Sequence, residues 1–170
     1  MLLDLGDLRV RSWVRRDLDA LVRYANNPKI AANLRDQFPH PYTRSAGAAY
    51  LDEVRLAEPE TSFAIEYASE AIGGIGFKLG ADIARLSAEM GYWLGEPFWG
   101  RGLTTRAVLV ASDWAIEHYR LTRVFAQAFA HNVASMRVLE KAGFEREAVL
   151  RRSAVKHGVI LDQVLYAKVR

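Results

Sequence analysis

Three strand-like runs follow one another at the centre of the chain: SFAIEY, AIGGIGFKL and AEMGYWL. The last leads through a glycine turn into a long helical pattern and then a further strand, RVFAQAF. Strands joined by short turns pair antiparallel, whereas a strand, a helix and a strand in succession place the two strands parallel. This order predicts an α/β fold with a mixed, largely antiparallel central sheet containing one parallel pair.

The flanks supply the remaining elements. Leu8 to Val14 alternates apolar and polar residues, as a strand does. Asp17 is placed as N-cap to a helix in which Leu18, Leu21, Val22 and Ala25 share one face. The segment NNPKIAANLRDQFPHPYT is loop-like, with a short helix expected near Ile30 to Leu34, and Thr43 opens a helix to about Ala57. Leu103, Ala107, Val110, Ala111, Trp114 and Ala115 line a third face. Asn132 to Ala142 reads as a helix closed by Gly143, with Phe144 packed behind it. FEREAVL and LDQVLYAKV end the chain as strands. Ala68 to Glu70 joins the first two central strands. Gly73, Gly74 and Gly76 sit inside an apolar strand pattern and mark a bulge or a close backbone approach. The expectation is six or seven strands and about four helices in a single domain, 1–170.

Composition narrows the chemistry. The chain has 170 residues and no cysteine, which removes disulfides, thiolate metal sites and a cysteine nucleophile. Its four histidines lie far apart and lack metal-ligand spacing, so no metal is expected. A net charge of +3 suits a small acidic ligand and falls short of a nucleic-acid binder. No apolar run is long enough to span a bilayer, and Asp4 and Asp7 interrupt what a leader peptide would keep apolar. The expectation is a cytoplasmic protein that binds neither nucleic acid nor membrane.

The stretch EPFWGRGLTTRA places two glycines, two threonines and two arginines where a strand hands over to a helix. Unpaired N–H groups and the helix dipole make such a start a ready anion site. Gly100 and Gly102 remove side chains that would hold a phosphate away, Thr104 and Thr105 add hydroxyls, and Arg101 and Arg106 add charge. The same residues also suit a plain turn with a capping threonine and solvated arginines. There is no Gly-Lys-Ser/Thr ending, which excludes a nucleoside-triphosphate loop. Further on, HNVASMRVLEKAGF puts Asn132 and Ser135 three residues apart, on one helical face. As far as the residues go, Asn132 is either a cap or a ligand.

Together these segments resemble the GNAT acetyltransferase superfamily, in particular its RimJ/RimL-like branch of ribosomal-protein N-terminal acetyltransferases. The resemblance spans nearly the whole chain and is strongest in EMGYWLGEPFWGRGLTTRA and NVASMRVLEKAGF. It implies acetyl-coenzyme A as co-substrate, its pyrophosphate cradled by the turn and its pantetheine arm paired with the backbone of Tyr92, Trp93 and Leu94. The family's turn pattern, Gln/Arg-x-x-Gly-x-Gly/Ala, falls on Trp99, Gly100, Arg101, Gly102, Leu103 and Thr104, with Thr105 next. Thr104 is larger than the family's glycine or alanine. The family's cofactor-touching asparagine matches Asn132, and its general acid matches Ser135. Gly158, Asp162 and Tyr166 fall where the branch has a glycine, an aspartate and a tyrosine, and an ordinary turn and strand explain them as well.

The implied reaction moves an acetyl group directly to a primary amine: a peptide N-terminus, a ribosomal protein or a small amine. The amine must be neutral to attack. Deprotonating a peptide α-amine at pH 7 costs about 1 kcal/mol and a lysine roughly 4.6 kcal/mol, from their ordinary pKa values. A weak base therefore suffices for α-amines. Glu89, on the strand that leads to the turn, is the expected base, and Asp162 is the reserve. The alternative is a non-catalytic acyl-coenzyme A-binding module that lacks a usable base. A homodimer stays open.

Overall fold

The computed structural model describes all residues from Met1 to Arg170. Its strands are β1 (Leu2–Asp4), β2 (Leu8–Ser12), β3 (Ser62–Tyr67), β4 (Glu70–Leu79), β5 (Ser87–Leu94), β6 (Arg123–Phe129), β7 (Glu145–Lys156) and β8 (Val159–Val169). The helices are α1 (Leu18–Ala25), α2 (Pro28–Ala31), α3 (Arg44–Leu56), α4 (Leu103–His118) and α5 (Val133–Lys141). The strands hydrogen-bond in the order β1-β2-β3-β4-β5-β6-β8-β7. This is the expected mixed α/β sheet, with β5 and β6 as the parallel pair on either side of α4.

Eight strands replace the expected six or seven because Leu2–Asp4 pairs with β2. Three residues are too few to show a period in sequence. The fifth helix is α2, one turn long and earlier than the expected Ile30–Leu34. Asn27 caps it by accepting the Lys29 N–H at 2.9 Å, and Pro28 opens it.

Two compact units divide the chain: Met1–Gly76 with Tyr92–Ala107, and Phe77–Gly91 with Val108–Arg170. In the first unit, Trp13, Leu21, Ala25, Tyr42, Leu51, Val54 and Ala64 form a buried cluster. The Asp17 carboxylate does not cap α1 as expected. It accepts two bonds from Arg11, at 2.7 and 2.9 Å, and the Val14 N–H at 3.0 Å. Arg11 also reaches Glu66 at 2.6 Å. Both carboxylates are buried, so a paired cation outcompetes a local cap for Asp17. Thr43 does cap α3, accepting the Ala46 N–H at 3.1 Å. The glycine run in β4 provides both the bulge and the close approach. Register with β3 shifts so that Ile72 has no partner, and a Cβ on Gly74 would lie 2.8 Å from Trp93 Nε1.

In the second unit β5 and β6 are in parallel register from Ser87↔Arg123 to Glu89↔Phe125, and β8 lies antiparallel to β6 and β7. α5 ends as expected. Gly143 takes φ +86°, its N–H bonds to Glu140 O at 3.1 Å, and the Phe144 N–H bonds to Leu139 O at 3.0 Å. β7 runs past the expected Leu150 to Lys156, because a bulge around Arg151–Ser153 absorbs the polar residues that look like a loop in sequence. No helix is long and apolar enough to cross a membrane.

The β3–β4 hairpin turns on Ala68 and Ser69, at φ +50° and +66°. A two-residue turn of this hand favours Asn-Gly, and each L-residue in the left-handed region costs about 1–2 kcal/mol. Replacing the pair together, Ala68→Asn with Ser69→Gly, is expected to stabilise the protein by about 1 kcal/mol and raise Tm by roughly 2–4 °C in a thermal melt. A lower Tm would contradict the turn geometry.

Candidate active site

The turn after β5 is fastened at both ends. At the strand end the Gly95 N–H bonds to the carbonyl of the bulged Ile72 at 2.7 Å. The Trp99 indole N–H folds back to the Leu94 carbonyl at 2.7 Å. Between them Glu96–Phe98 makes a single 3-10 turn, closed by Phe98 N–H to Gly95 O and Trp99 N–H to Glu96 O. Crowding favours glycine at 95, since a Cβ there would lie 3.1 Å from Tyr24 and would press on that side chain.

Gly100 and Gly102 are favoured for a different reason. Their φ angles are +74° and +72°, and a Cβ on either would meet nothing within 4 Å. The backbone is therefore left-handed twice over while its surroundings are open. From Gly100 to Thr105 no main-chain N–H has a backbone acceptor, and the first that does is Arg106, to Gly102 O at 3.1 Å. Consecutive free N–H groups at the start of a 16-residue helix, α4, form a concentrated anion-binding surface.

The two arginines are not equivalent. Arg101 donates to the Tyr67 hydroxyl at 2.7 Å, with its guanidinium 4.6 Å above that ring. Arg106, expected to add charge at the turn, is bonded to Asp7 at 2.7 Å and to Leu5 O at 2.9 Å. Its hydrogen bond holds the Asp7 carboxyl below the usual carboxylate range. Thr104 and Thr105 are half-buried, and Trp99 is exposed apart from its bonded N–H. Tyr92 and Trp93 are half-buried on β5, and Leu94 and Leu103 are buried.

In the second unit, Asn132 caps α5, with its Oδ1 accepting the Ser135 N–H at 3.2 Å. The cap uses only the oxygen, so the amide nitrogen is left to other partners, and both side chains are half-buried. Glu89 is half-buried at the end of the parallel register with β6. The three positions matched near the last strand have structural tasks. Gly158 shares the β7–β8 turn with His157, at φ +77° and +49°. Asp162 Oδ1 accepts the Arg152 N–H at the β7 bulge, at 2.7 Å. Tyr166 is buried and its hydroxyl donates to Glu140 at 2.8 Å, burial and that bond raising its pKa. No group of three His, Cys, Asp or Glu side chains is placed to hold a metal.

Sequence reading missed Glu96, which accepts from Asn27 Nδ2 at 2.6 Å and from Lys29 Nζ. It also missed Tyr67 beneath Arg101. Their partners lie far away along the chain, so no local pattern announces them.

Removing the Asn132 cap with Asn132→Ala is expected to cost about 1 kcal/mol of stability in urea denaturation without any ligand. Asn132→Ser, which keeps an acceptor, should recover most of it. Equal stability of all three proteins would mean that the cap contributes nothing.

Residues 7–145 match the family described as acetyltransferase (GNAT) domain. The chain is 26% identical over 166 residues to p20 of Bacillus licheniformis, an uncharacterized N-acetyltransferase, covering 94% of this chain and 91% of that one. RimJ of Mycobacterium smegmatis, solved in complex with CoA-disulfide, superposes with a TM-score of 0.85 at 24% identity, over 95% of this chain and 81% of its own. The ribosomal-protein-S5-alanine acetyltransferase of Vibrio fischeri superposes with a TM-score of 0.84 at 22% identity, over 99% and 96%. The family match takes in β5, the glycine turn, α4, Asn132 and Ser135, and the chain belongs to the GNAT acetyltransferase family.

Proposed function

We propose that the chain acts as one acetyl-coenzyme A-dependent N-acetyltransferase domain, transferring an acetyl group directly to a primary amine. The observation that carries this reading is the row of unpaired N–H groups from Gly100 to Thr105, set by two left-handed glycines with open space around them. That donor set fits a pyrophosphate, whose oxygens accept without needing a side chain. The family match crosses both units of the chain, which supports their working as one domain.

Acetyl-coenzyme A, when bound, supplies a thioester carbonyl to the attacking amine. By the family resemblance, the turn would hold its pyrophosphate, the Tyr92–Leu94 backbone would pair with its pantetheine arm, and Asn132 would add a donor through its amide nitrogen. Glu89 takes the amine proton, directly or through a water. Ser135 would pass its hydroxyl proton to the departing sulfur and take one back from water, so that the thiol forms and no alkoxide remains. A thiolate with an ordinary pKa of about 8.5 leaves readily, so Ser135 contributes less than positioning of the cofactor does. The acceptor is an α-amine of a peptide or ribosomal protein, for which a weak base suffices. The structural neighbours described as a ribosomal-protein-S5-alanine acetyltransferase and as a ribosomal L7/L12 alpha-N-protein acetyltransferase support that class.

Incubating the protein with acetyl-coenzyme A and a panel of amines, peptides and ribosomal proteins, with released thiol as the readout, tests the reading. Amine-dependent thiol release is expected, and coenzyme A binding with no release on any acceptor would leave a binding module. Gly102→Val should abolish coenzyme A binding in calorimetry while the protein stays folded. Unchanged affinity would remove the pyrophosphate assignment.

With one acceptor in hand, Glu89→Gln should keep cofactor affinity and lower kcat by about a hundredfold. A reactive neutral amine is scarcest at low pH, so the loss should be greatest there. Overlaying pH–rate profiles for the two proteins would make Glu89 structural.

A further inference from the structure

The turn that presents the free N–H groups is gripped by the N-terminal helices through contacts that serve no element of their own. Asn27, between α1 and α2, donates from Nδ2 to Glu96 Oε2 at 2.6 Å, and Lys29 on α2 pairs with Glu96 Oε1. One residue earlier the Tyr24 ring of α1 fills the place that a side chain on Gly95 would take, 3.1 Å from that missing Cβ. Two residues after Glu96, Phe98 packs edge-on against the same ring, with centroids 5.2 Å apart. Tyr24 itself is pinned by its hydroxyl to Glu70 at 2.7 Å, and Arg23 bonds the other oxygen of Glu70 at 3.0 Å. So every residue of Gly95–Phe98 except Pro97 is touched by α1 or the start of α2, and this segment leads straight into Trp99 and Gly100.

We infer that Glu96 is a positioning residue for the cofactor. By joining Asn27 and Lys29 to the 3-10 turn, it holds the Gly100–Thr105 backbone in the conformation that presents its N–H groups. This rests on the reading of that backbone as the coenzyme A cradle. The exposure of the Glu96–Lys29 pair suits a positioning role better than a stabilising one. The Glu96 carboxylate is about one-third exposed and Lys29 is two-thirds exposed, so the ion pair adds little to folding. Glycine-rich backbone has many conformations to lose on binding, and fixing its entry in advance improves affinity by reducing that loss.

The test uses the full-length chain, with coenzyme A binding by calorimetry, acetyl-coenzyme A kinetics and thermal melts. Glu96→Ala is expected to weaken coenzyme A binding about tenfold and to raise KM for acetyl-coenzyme A in step, with kcat and Tm nearly unchanged. Glu96→Gln keeps an acceptor for Asn27 and should regain most of the affinity. Asn27→Asp keeps the cap on α2 but sets a carboxylate against Glu96, and it should match Glu96→Ala. Combined with Glu96→Ala it should add nothing further, because the two side chains act as one unit. Wild-type affinity and KM in folded Glu96→Ala or Asn27→Asp would overturn the inference. So would a fall in kcat with KM unchanged. Failure of the wild-type protein to bind coenzyme A would instead overturn the cradle reading, and this inference with it.

Discussion

The candidate site depends on a backbone that must stay unpaired. A chain normally satisfies its N–H groups, and a run of free ones is tolerated only where the conformation forbids internal partners and a better acceptor is available. Gly100 and Gly102 supply the first condition with their positive φ angles. Leu103 begins the helix before its first N–H groups have carbonyls to reach. An anion supplies the second condition in our reading. Most other features of the turn follow from keeping that backbone in place.

Three fastenings do so, each by different physics. The bulge in β4 turns the Ile72 carbonyl to the Gly95 N–H, so a defect in one strand becomes the anchor of another. The Trp99 indole N–H folds back onto the Leu94 carbonyl at the end of the strand. Aromatic packing of Tyr24 on Gly95 and Phe98 then sets the path of the segment. The first two are single hydrogen bonds of ordinary strength, each contributing about 0.5–1.5 kcal/mol. Their effect on the site comes from where they act rather than from how strong they are.

Local signals carried a large part of the fold. Thr43, Asn132 and Gly143 act on their own neighbours, and the helix ends they predict are present. The parallel pair followed from element order. Asp17 was misread because Arg11 and burial outweigh its neighbours. β1 was too short to show a period, and the β7 bulge put polar residues inside a strand. At the site, the glycine turn and the Asn132–Ser135 pair were legible as residue types at fixed spacing. Glu96, Tyr24, Tyr67 and the Arg106–Asp7 pair were not, because each is defined by a partner that only folding brings near.

In our reading the free N–H groups after β5 hold the pyrophosphate of coenzyme A. An amide-resolved NMR titration tests it most directly, comparing coenzyme A with pantetheine, which has the same arm but no pyrophosphate. Coenzyme A is expected to move the amide signals of Gly100 to Thr105 more than any others, and pantetheine to leave those six signals in place. Equal shifts with both ligands, or a coenzyme A footprint that spares Gly100 to Thr105, would contradict it.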